Sequence, residues 1–179
     1  MISDHDAGIL IDLARETIQK RVRNEDCSPP PRQEPALNVQ AGCFVTIKRN
    51  GRLRGCIGNF VSSQPLYQTV VDMAIAAATE DPRFAPMSEV ELADFEIEIT
   101  VLSPLEKISD INLIEVGRHG IYIVKGYQRG VLLPQVATEY GWDRETFLQQ
   151  TCVKAGLPTD AWQTPGIDIY RFSGQIIEE

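Results

Sequence analysis

The residue types best suited to chemistry cluster in one short stretch, Arg52-Leu53-Arg54-Gly55-Cys56-Ile57-Gly58. The thiol of Cys56 would act as a nucleophile or a redox group, and a neighbouring cation such as Arg54 favours the thiolate form. The two glycines would let a ligand or another backbone approach closely. The alternative is a buried cysteine that packs opposite Val45, with the glycines serving a β-bulge. The residue types leave both interpretations open.

Two arginines supply the cationic groups that a small anionic ligand would need. Arg54 must reach solvent, pair with a carboxylate or bind such a ligand. Arg83 has the same choices, and a local pair with Asp81 in the stretch Asp81-Pro82-Arg83-Phe84 is the simplest of them. We therefore treat Arg54 and Arg83 as candidate substrate-binding residues.

Three further polar residues are candidates for the same site. His119 lies in a predicted turn, where it would be a general base, a ligand or an ordinary loop residue. Glu98 alternates with Glu96 along a strand; paired carboxylates suggest acid–base work or a metal, although this pattern is typical of a solvated face. Glu98 could instead meet Arg54 across the sheet. Gln135 stands at a helix start, where its amide would orient a carbonyl or a base, or cap the helix.

A β-hairpin must position the cysteine. Asn50-Gly51 separates two runs rich in β-formers and predicts a type I′ turn, because both central residues of that turn need a positive φ. The register that follows from this turn places Ile47 opposite Arg54 and Val45 opposite Cys56.

The same register predicts which side chains share a face of the hairpin. Because side chains alternate along a strand, Arg52, Arg54 and Cys56 should lie on one face. A bulge at Gly55 would turn Cys56 to the opposite face. The other face is expected to receive Leu53 and Ile57.

The rest of the chain mixes helices and strands without a repeating βαβ unit. This mixture predicts an α+β fold, a mainly antiparallel sheet with flanking helices. The predicted elements are a helix over about Asp4 to Arg23, an extended connector from Asn24 to Gln40, a helix capped by Ser62 or Ser63, a strand from Phe95 to Val101, a short helix from Asp110 to Val116, a turn over Gly117-Arg118-His119-Gly120, a hairpin of Ile121 to Lys125 with Val131 to Leu133, a helix capped by Asp143 and a strand from about Ile167 to Phe172.

Composition narrows the class of protein. The chain has 179 residues and a net charge of −8, with 25 acidic and 17 basic residues. It has no apolar run of about 20 residues that would cross a membrane. The acidic N-terminus does not resemble a signal peptide, so we expect a cytoplasmic protein.

Several kinds of site lack support in the sequence. The four cysteines form no C-x-x-C pair and only two histidines are present, so neither a metal site nor disulfides are expected. No G-x-G-x-x-G or P-loop occurs, and no cofactor is predicted. The net charge disfavours nucleic-acid binding over the whole surface, which leaves the Arg49, Arg52 and Arg54 patch as its one candidate location.

Several stretches together resemble the AMMECR domain family, which in prokaryotes includes protein A of the AmmeMemoRadiSam system. The resemblance covers nearly the whole chain and is carried by the combination of motifs. These are Leu53-Arg54-Gly55-Cys56-Ile57-Gly58, Asp81-Pro82-Arg83-Phe84, His119-Gly120, Leu132-Leu133-Pro134-Gln135-Val136, Lys154-Ala155-Gly156-Leu157 and Tyr170-Arg171-Phe172.

The resemblance implies an α+β domain over residues 1–179, with a larger and a smaller lobe sharing one cleft. It also implies association with a Memo-like protein and a radical S-adenosylmethionine (radical SAM) protein. It does not supply a reaction, since the family has no agreed activity.

Three functions remain open from the sequence. The first is a small enzyme, or a component of an enzyme system, in which Cys56 is the nucleophile or redox thiol, Arg54 and Arg83 bind an anionic substrate and His119 transfers protons. The second is a non-catalytic module that binds the Memo-like or radical SAM protein. Nucleic-acid binding is the third and least favoured.

Overall fold

The computed structural model describes all of residues 1–179 and confirms the predicted α+β fold with an antiparallel sheet. The helices are α1 (Asp4–Val22), α2 (Leu66–Thr79), α3 (Pro134–Glu139) and α4 (Arg144–Lys154), and 3₁₀ turns cover Pro35–Asn38, Glu89–Ala93, Ile111–Leu113 and Ala161–Gln163. The strands are β1 (Cys43–Arg49), β2 (Arg52–Asn59), β3 (Glu96–Leu102), β4 (Glu106–Ile108), β5 (His119–Lys125), β6 (Gln128–Leu132) and β7 (Asp168–Glu178).

The chain forms two compact units. The first comprises Met1–Leu102 with Gln175–Glu179, and the second comprises Ser103–Gly174. Strand β7 therefore contributes its first residues to the second unit and its last residues to the first. The cleft that the family resemblance implies stays a prediction.

In the first unit the strand order is β2-β1-β3 followed by the end of β7, and β2 is the edge strand. Alternate residues of β1, namely Cys43, Val45 and Ile47, are fully buried in a core that they share with α1 and α2. The intervening residues of β1 point to the other face, which belongs to no part of that core. We call this the open face of the first unit.

Two helix boundaries in this unit follow local chemistry. Helix α1 begins as predicted, because the Ser3 hydroxyl accepts a hydrogen bond from the Asp6 N–H at its first turn. Helix α2 begins at Leu66 with Pro65 as its N-cap, so neither predicted serine caps it through its side chain. The Ser62 hydroxyl instead accepts a hydrogen bond from the hydroxyl of Thr69 at 2.8 Å.

In the second unit β5 lies between β6 and β7, and β4 pairs with the other side of β7. Helices α3 and α4 pack onto one face of this sheet, where Ile121, Ile123 and Ile169 form a core with helix residues such as Phe147. Asp143 caps α4 as predicted, since its carboxylate accepts a hydrogen bond from the Thr146 N–H at 2.8 Å. Strand β7 runs well beyond its predicted end, to Glu178.

Candidate functional site

The hairpin that carries Cys56 turns as predicted. Asn50 and Gly51 have φ values of 51° and 70°, which a type I′ turn requires, and Arg49 faces Arg52 across it. Beyond the turn the register shifts between Ile47 and Lys48 of β1. Lys48 pairs with Leu53 and Ile47 pairs with Gly55, so that Arg54 is the extra residue of a β-bulge.

The bulge makes the predicted register of Cys56 wrong. Cys56 lies opposite Thr46, and Val45 instead pairs with Ile57. Residues that face each other share a face of the sheet, so Cys56 joins Thr46 on the open face, while Arg52 pairs on the face where Ile57 lies. The predicted grouping of Arg52 with Cys56, and of Leu53 with Ile57, is therefore wrong as well.

Gly55 explains why the bulge occurs at this point. It faces Ile47 on the buried side of the hairpin, directly under α2. A Cβ atom at Gly55 would lie 2.1 Å from the carbonyl oxygen of Ala77 in that helix, closer than any side chain can approach. The strand accepts only glycine at this position, and the bulge brings that glycine to the helix.

A row of three polar side chains crosses the open face of the first unit. Thr46 pairs with Cys56 on one side and with Glu98 of β3 on the other, which places a thiol, a hydroxyl and a carboxylate on neighbouring strands. The Thr46 hydroxyl donates a hydrogen bond to the Cys56 sulfur at 3.2 Å. Cys56 is half-buried, so its thiol is not enclosed in the core.

Glu98 pairs with a lysine and not with the predicted Arg54. Lys48 Nζ lies 2.6 Å from Glu98 Oε2, and this hydrogen bond raises the pKa of Lys48. The two side chains border a groove of about 260 Å³ in the same unit. The groove is lined by Lys48, Glu96, Ile97, Glu98, Glu178 and Glu179.

At Cys56, the backbone of the edge strand β2 is hydrogen-bonded by the carboxylate of Asp81 and by its partner Arg83. Asp81, which is only 4% exposed, accepts a hydrogen bond from the Cys56 N–H at 2.9 Å. Arg83 donates hydrogen bonds to the same carboxylate from Nε (2.9 Å) and Nη2 (2.7 Å). Its Nη2 also donates to the Cys56 carbonyl oxygen at 3.4 Å. These contacts, led by the bonds to Arg83, hold the pKa of Asp81 well below its usual range. The pair thus binds both backbone polar groups of Cys56, as a neighbouring strand would.

Arg54 is engaged by a second carboxylate. Its Nε donates to Glu91 Oε1 at 2.7 Å, and its Nη2 donates to Glu91 Oε2 at 3.2 Å and to the carbonyl oxygen of Ala85 at 2.9 Å. Glu91 also accepts hydrogen bonds from Ser88 in a capping box. The bond to Arg54 is the main reason that the pKa of Glu91 falls to about 2. Arg54 was expected to reach solvent, to pair with a carboxylate or to bind an anionic ligand, and the structure shows the pairing with a carboxylate.

Phe84 stands between the two arginines of the site. The guanidinium carbons of Arg54 and Arg83 lie 5.7 and 5.6 Å from the centroid of its ring. Both distances are within the range of cation–π attraction. The ring therefore ties the stretch Asp81-Pro82-Arg83-Phe84 to the bulge of β2.

His119 and Gln135 belong to the second unit. The prediction of a turn histidine is wrong, because His119 is the first residue of β5 and is buried. Its Nδ1 accepts a hydrogen bond from the Glu115 N–H at 3.0 Å, and burial lowers its pKa. The imidazole is therefore neutral near pH 7, with its proton on Nε2. Gln135 is exposed at the start of α3 and its side chain caps nothing.

The sequence singled out neither Thr46 nor Asp81 as a site residue. Thr46 is identified only by the observed register, since the simple hairpin register places Val45 beside the thiol. Asp81 is the first residue of the motif Asp81-Pro82-Arg83-Phe84, so the sequence does mark its position. It does not indicate the partner, because the hydrogen bond to Cys56 joins residues 25 positions apart. No set of three His, Cys, Asp or Glu side chains is arranged to hold a metal ion, and no helix is long and apolar enough to span a membrane.

A family model, related sequences and a solved structure each match this protein over nearly the whole chain. A model of the family described as AMMECR1 matches residues 11–177. A protein of Thermococcus onnurineus is 44% identical, over 99% of this chain and 92% of its own length. A protein of Methanothermobacter thermautotrophicus is 42% identical, over 99% of this chain and 96% of its own. The crystal structure of an uncharacterised protein from Pyrococcus horikoshii superposes with a TM-score of 0.83 at 38% identity, covering 98% of this chain and 92% of that one.

Proposed function

We propose that this chain, which belongs to the AMMECR1 family, works through the thiol of Cys56 as a small cytoplasmic enzyme or a component of an enzyme system. One observation carries the proposal: Cys56 is half-buried on a sheet face, and its sulfur accepts a hydrogen bond from the Thr46 hydroxyl. This hydrogen bond fixes the direction of the sulfur on the sheet face, and a cysteine acts as a nucleophile through its thiolate form.

The contacts around Cys56 hold its backbone in place, which favours a single direction for the thiol. Its backbone N–H and carbonyl oxygen are both bound by the Asp81–Arg83 pair, and its strand is anchored to α2 at Gly55. A reactive group held on a rigid strand by contacts of this kind keeps its direction toward a ligand. The two buried cysteines, Cys43 and Cys152, lack this setting; Cys43 lies in the core, where burial raises its pKa to about 12.

Arg83 is the arginine that is best placed to contact an anionic ligand. Its side chain is 54% exposed, and its Nη1 is engaged in no hydrogen bond. The Arg54 side chain, at 15% exposed, is held by Glu91. In this proposal Arg83 binds the ligand and Arg54 fixes the bulge. The roles predicted for His119, Glu98 and Gln135 stay predictions.

Complementation in cells tests the proposal. We expect Cys56→Ser to fail to rescue a strain that lacks the gene, and Thr46→Val to rescue it only in part. Cys27→Ser is the matched control, because Cys27 is a half-buried thiol outside the row, and it should rescue fully. Full rescue by Cys56→Ser would overturn the thiol function. Co-purification of that variant with the Memo-like or radical SAM protein would then establish the binding module in its place.

A further inference from the structure

The sheet of the second unit has a second face, opposite to the one that α3 and α4 cover; Gly120 and Phe172 are buried at one end of it, and the residues beyond them are half-buried or exposed. Its centre is a row of directly paired residues on four strands, with Tyr122 beside Tyr170. Neither tyrosine belongs to the core beneath the helices. Their ring centroids are 5.9 Å apart and both side chains are half-buried. The full row is Val131, Tyr122, Tyr170 and Lys107.

The next row of the same face supplies a free cation. Arg129 of β6 pairs with Val124, which pairs in turn with Asp168 of β7. The Asp168 carboxylate is neutralised by Lys107 at 2.7 Å. Arg129 is exposed and makes no ion pair or side-chain hydrogen bond. The sheet face that carries Tyr122 and Tyr170, which we call the tyrosine face, therefore has one net positive charge.

The negative charge of the chain lies almost entirely in the other unit. Ser103–Gly174 contains 8 acidic and 7 basic residues, a net charge of −1, which leaves −7 of the total −8 to the first unit. The charge of the whole chain, which disfavours contact with a phosphate backbone, therefore does not describe the second unit.

We propose that the tyrosine face of the second unit binds single-stranded nucleic acid, with bases stacked on Tyr122 and Tyr170 and a phosphate on Arg129. Aromatic side chains on the open face of an antiparallel sheet are a recurrent platform for unpaired bases. Such stacking accepts any base, because every base has a π-face. Two adjacent rings suit successive bases of one strand, whereas a lone nucleotide would occupy only one ring. This site is independent of the thiol site of Cys56.

Fluorescence anisotropy with a labelled, mixed-sequence single-stranded oligonucleotide tests the proposal on the full chain. We expect Tyr122→Leu and Tyr170→Leu each to weaken binding about 10-fold, since leucine keeps apolar volume but has no π-face. Tyr122→Phe and Tyr170→Phe should bind like the wild type. Arg129→Gln should weaken binding and reduce the slope of log K against log[salt] by about 1.

Tyr127 provides the matched control, because it is a fully exposed tyrosine on the turn between β5 and β6, outside the row. Tyr127→Leu should leave the affinity unchanged. The proposal is overturned if the oligonucleotide does not bind at low salt, or if the leucine variants at positions 122 and 170 bind as well as Tyr127→Leu. It is also overturned if a duplex or a free mononucleotide binds as tightly as the single strand.

Discussion

Replacing Asp81 with asparagine should destabilise the first unit, and the contacts of this residue set the size of the effect. The carboxylate accepts hydrogen bonds from the Cys56 and Arg83 backbone N–H groups and from two nitrogens of the Arg83 guanidinium. A hydrogen bond to a charged group is worth about 1.5–3 kcal/mol, and removing one partner of a fully buried pair costs about 3–5 kcal/mol. Because the Arg83 side chain stays half-solvated, we expect Asp81→Asn to cost about 2–3 kcal/mol at pH 7, which is less than the cost for a fully buried pair.

The pH dependence of this cost has a definite sign. The pKa of Asp81 is lower in the folded chain than in the unfolded one, so its ionised form stabilises the fold. That contribution is complete above the unfolded pKa of about 3.9 and disappears as the pH falls through the folded value. The difference between the wild type and Asp81→Asn should therefore be equal at pH 7 and pH 5 and should shrink below about pH 4.

Urea unfolding followed by circular dichroism, together with amide exchange at Cys56, measures both effects. Asp94→Asn is the matched control, because Asp94 also pairs with an arginine but is 53% exposed, and such surface pairs contribute about 0–1 kcal/mol. Exchange of the Cys56 amide should accelerate in Asp81→Asn only. Equal stability of the two variants, or an unchanged exchange rate at Cys56, would refute the assignment of Asp81 as the partner of the β2 edge.

Three further outcomes follow from the same region. Glu91→Gln should cost about 2 kcal/mol at pH 7, a difference that is complete above about pH 4.5 and lost as the pH falls through about 2; a pH-independent cost in urea unfolding would contradict it. Gly55→Ala should destabilise by about 3 kcal/mol or more through its clash with α2, whereas Gly8→Ala, in an uncrowded helical position, should stabilise by about 0.5–1 kcal/mol. Iodoacetamide should alkylate Cys56 of the folded protein well before Cys43, as read by mass spectrometry; a Cys56 that reacts only after denaturation would exclude an accessible thiol.

Much of the fold could be predicted because its signals are local. The Asn50-Gly51 turn needs positive φ at two adjacent residues, and the capping of α1 by Ser3 depends on residues three positions apart. Alternation of apolar residues identified β3 for the same reason. Each of these features is decided by a few neighbouring side chains, so a single sequence contains the information.

The sequence allows a bulge at Gly55 that turns Cys56 to the opposite face, but it does not decide between the two registers, because the choice depends on a distant contact. The bulge follows from the close approach of Gly55 to the carbonyl oxygen of Ala77 in α2. The residues of the hairpin contain no information about where α2 lies. The partner of Arg54 is likewise remote, since Glu91 lies 37 residues away. The turn prediction for His119 fails for a related reason. Nearby glycines are typical of a turn, but Gly120 is needed in β5 because the ring of Phe172 occupies the space of its Cβ atom.

The contacts around β2 explain why two of the stretches that carry the family resemblance occur together. An edge strand exposes unpaired backbone groups, and in β2 these are bound at Cys56 by the side chains of Asp81 and Arg83. The bulge at Arg54 is held in turn by Glu91 and by the carbonyl oxygen of Ala85. The segment after α2 therefore replaces a neighbouring strand. A function of the Cys56 thiol would require both stretches, because one presents the sulfur and the other fixes the backbone that aims it.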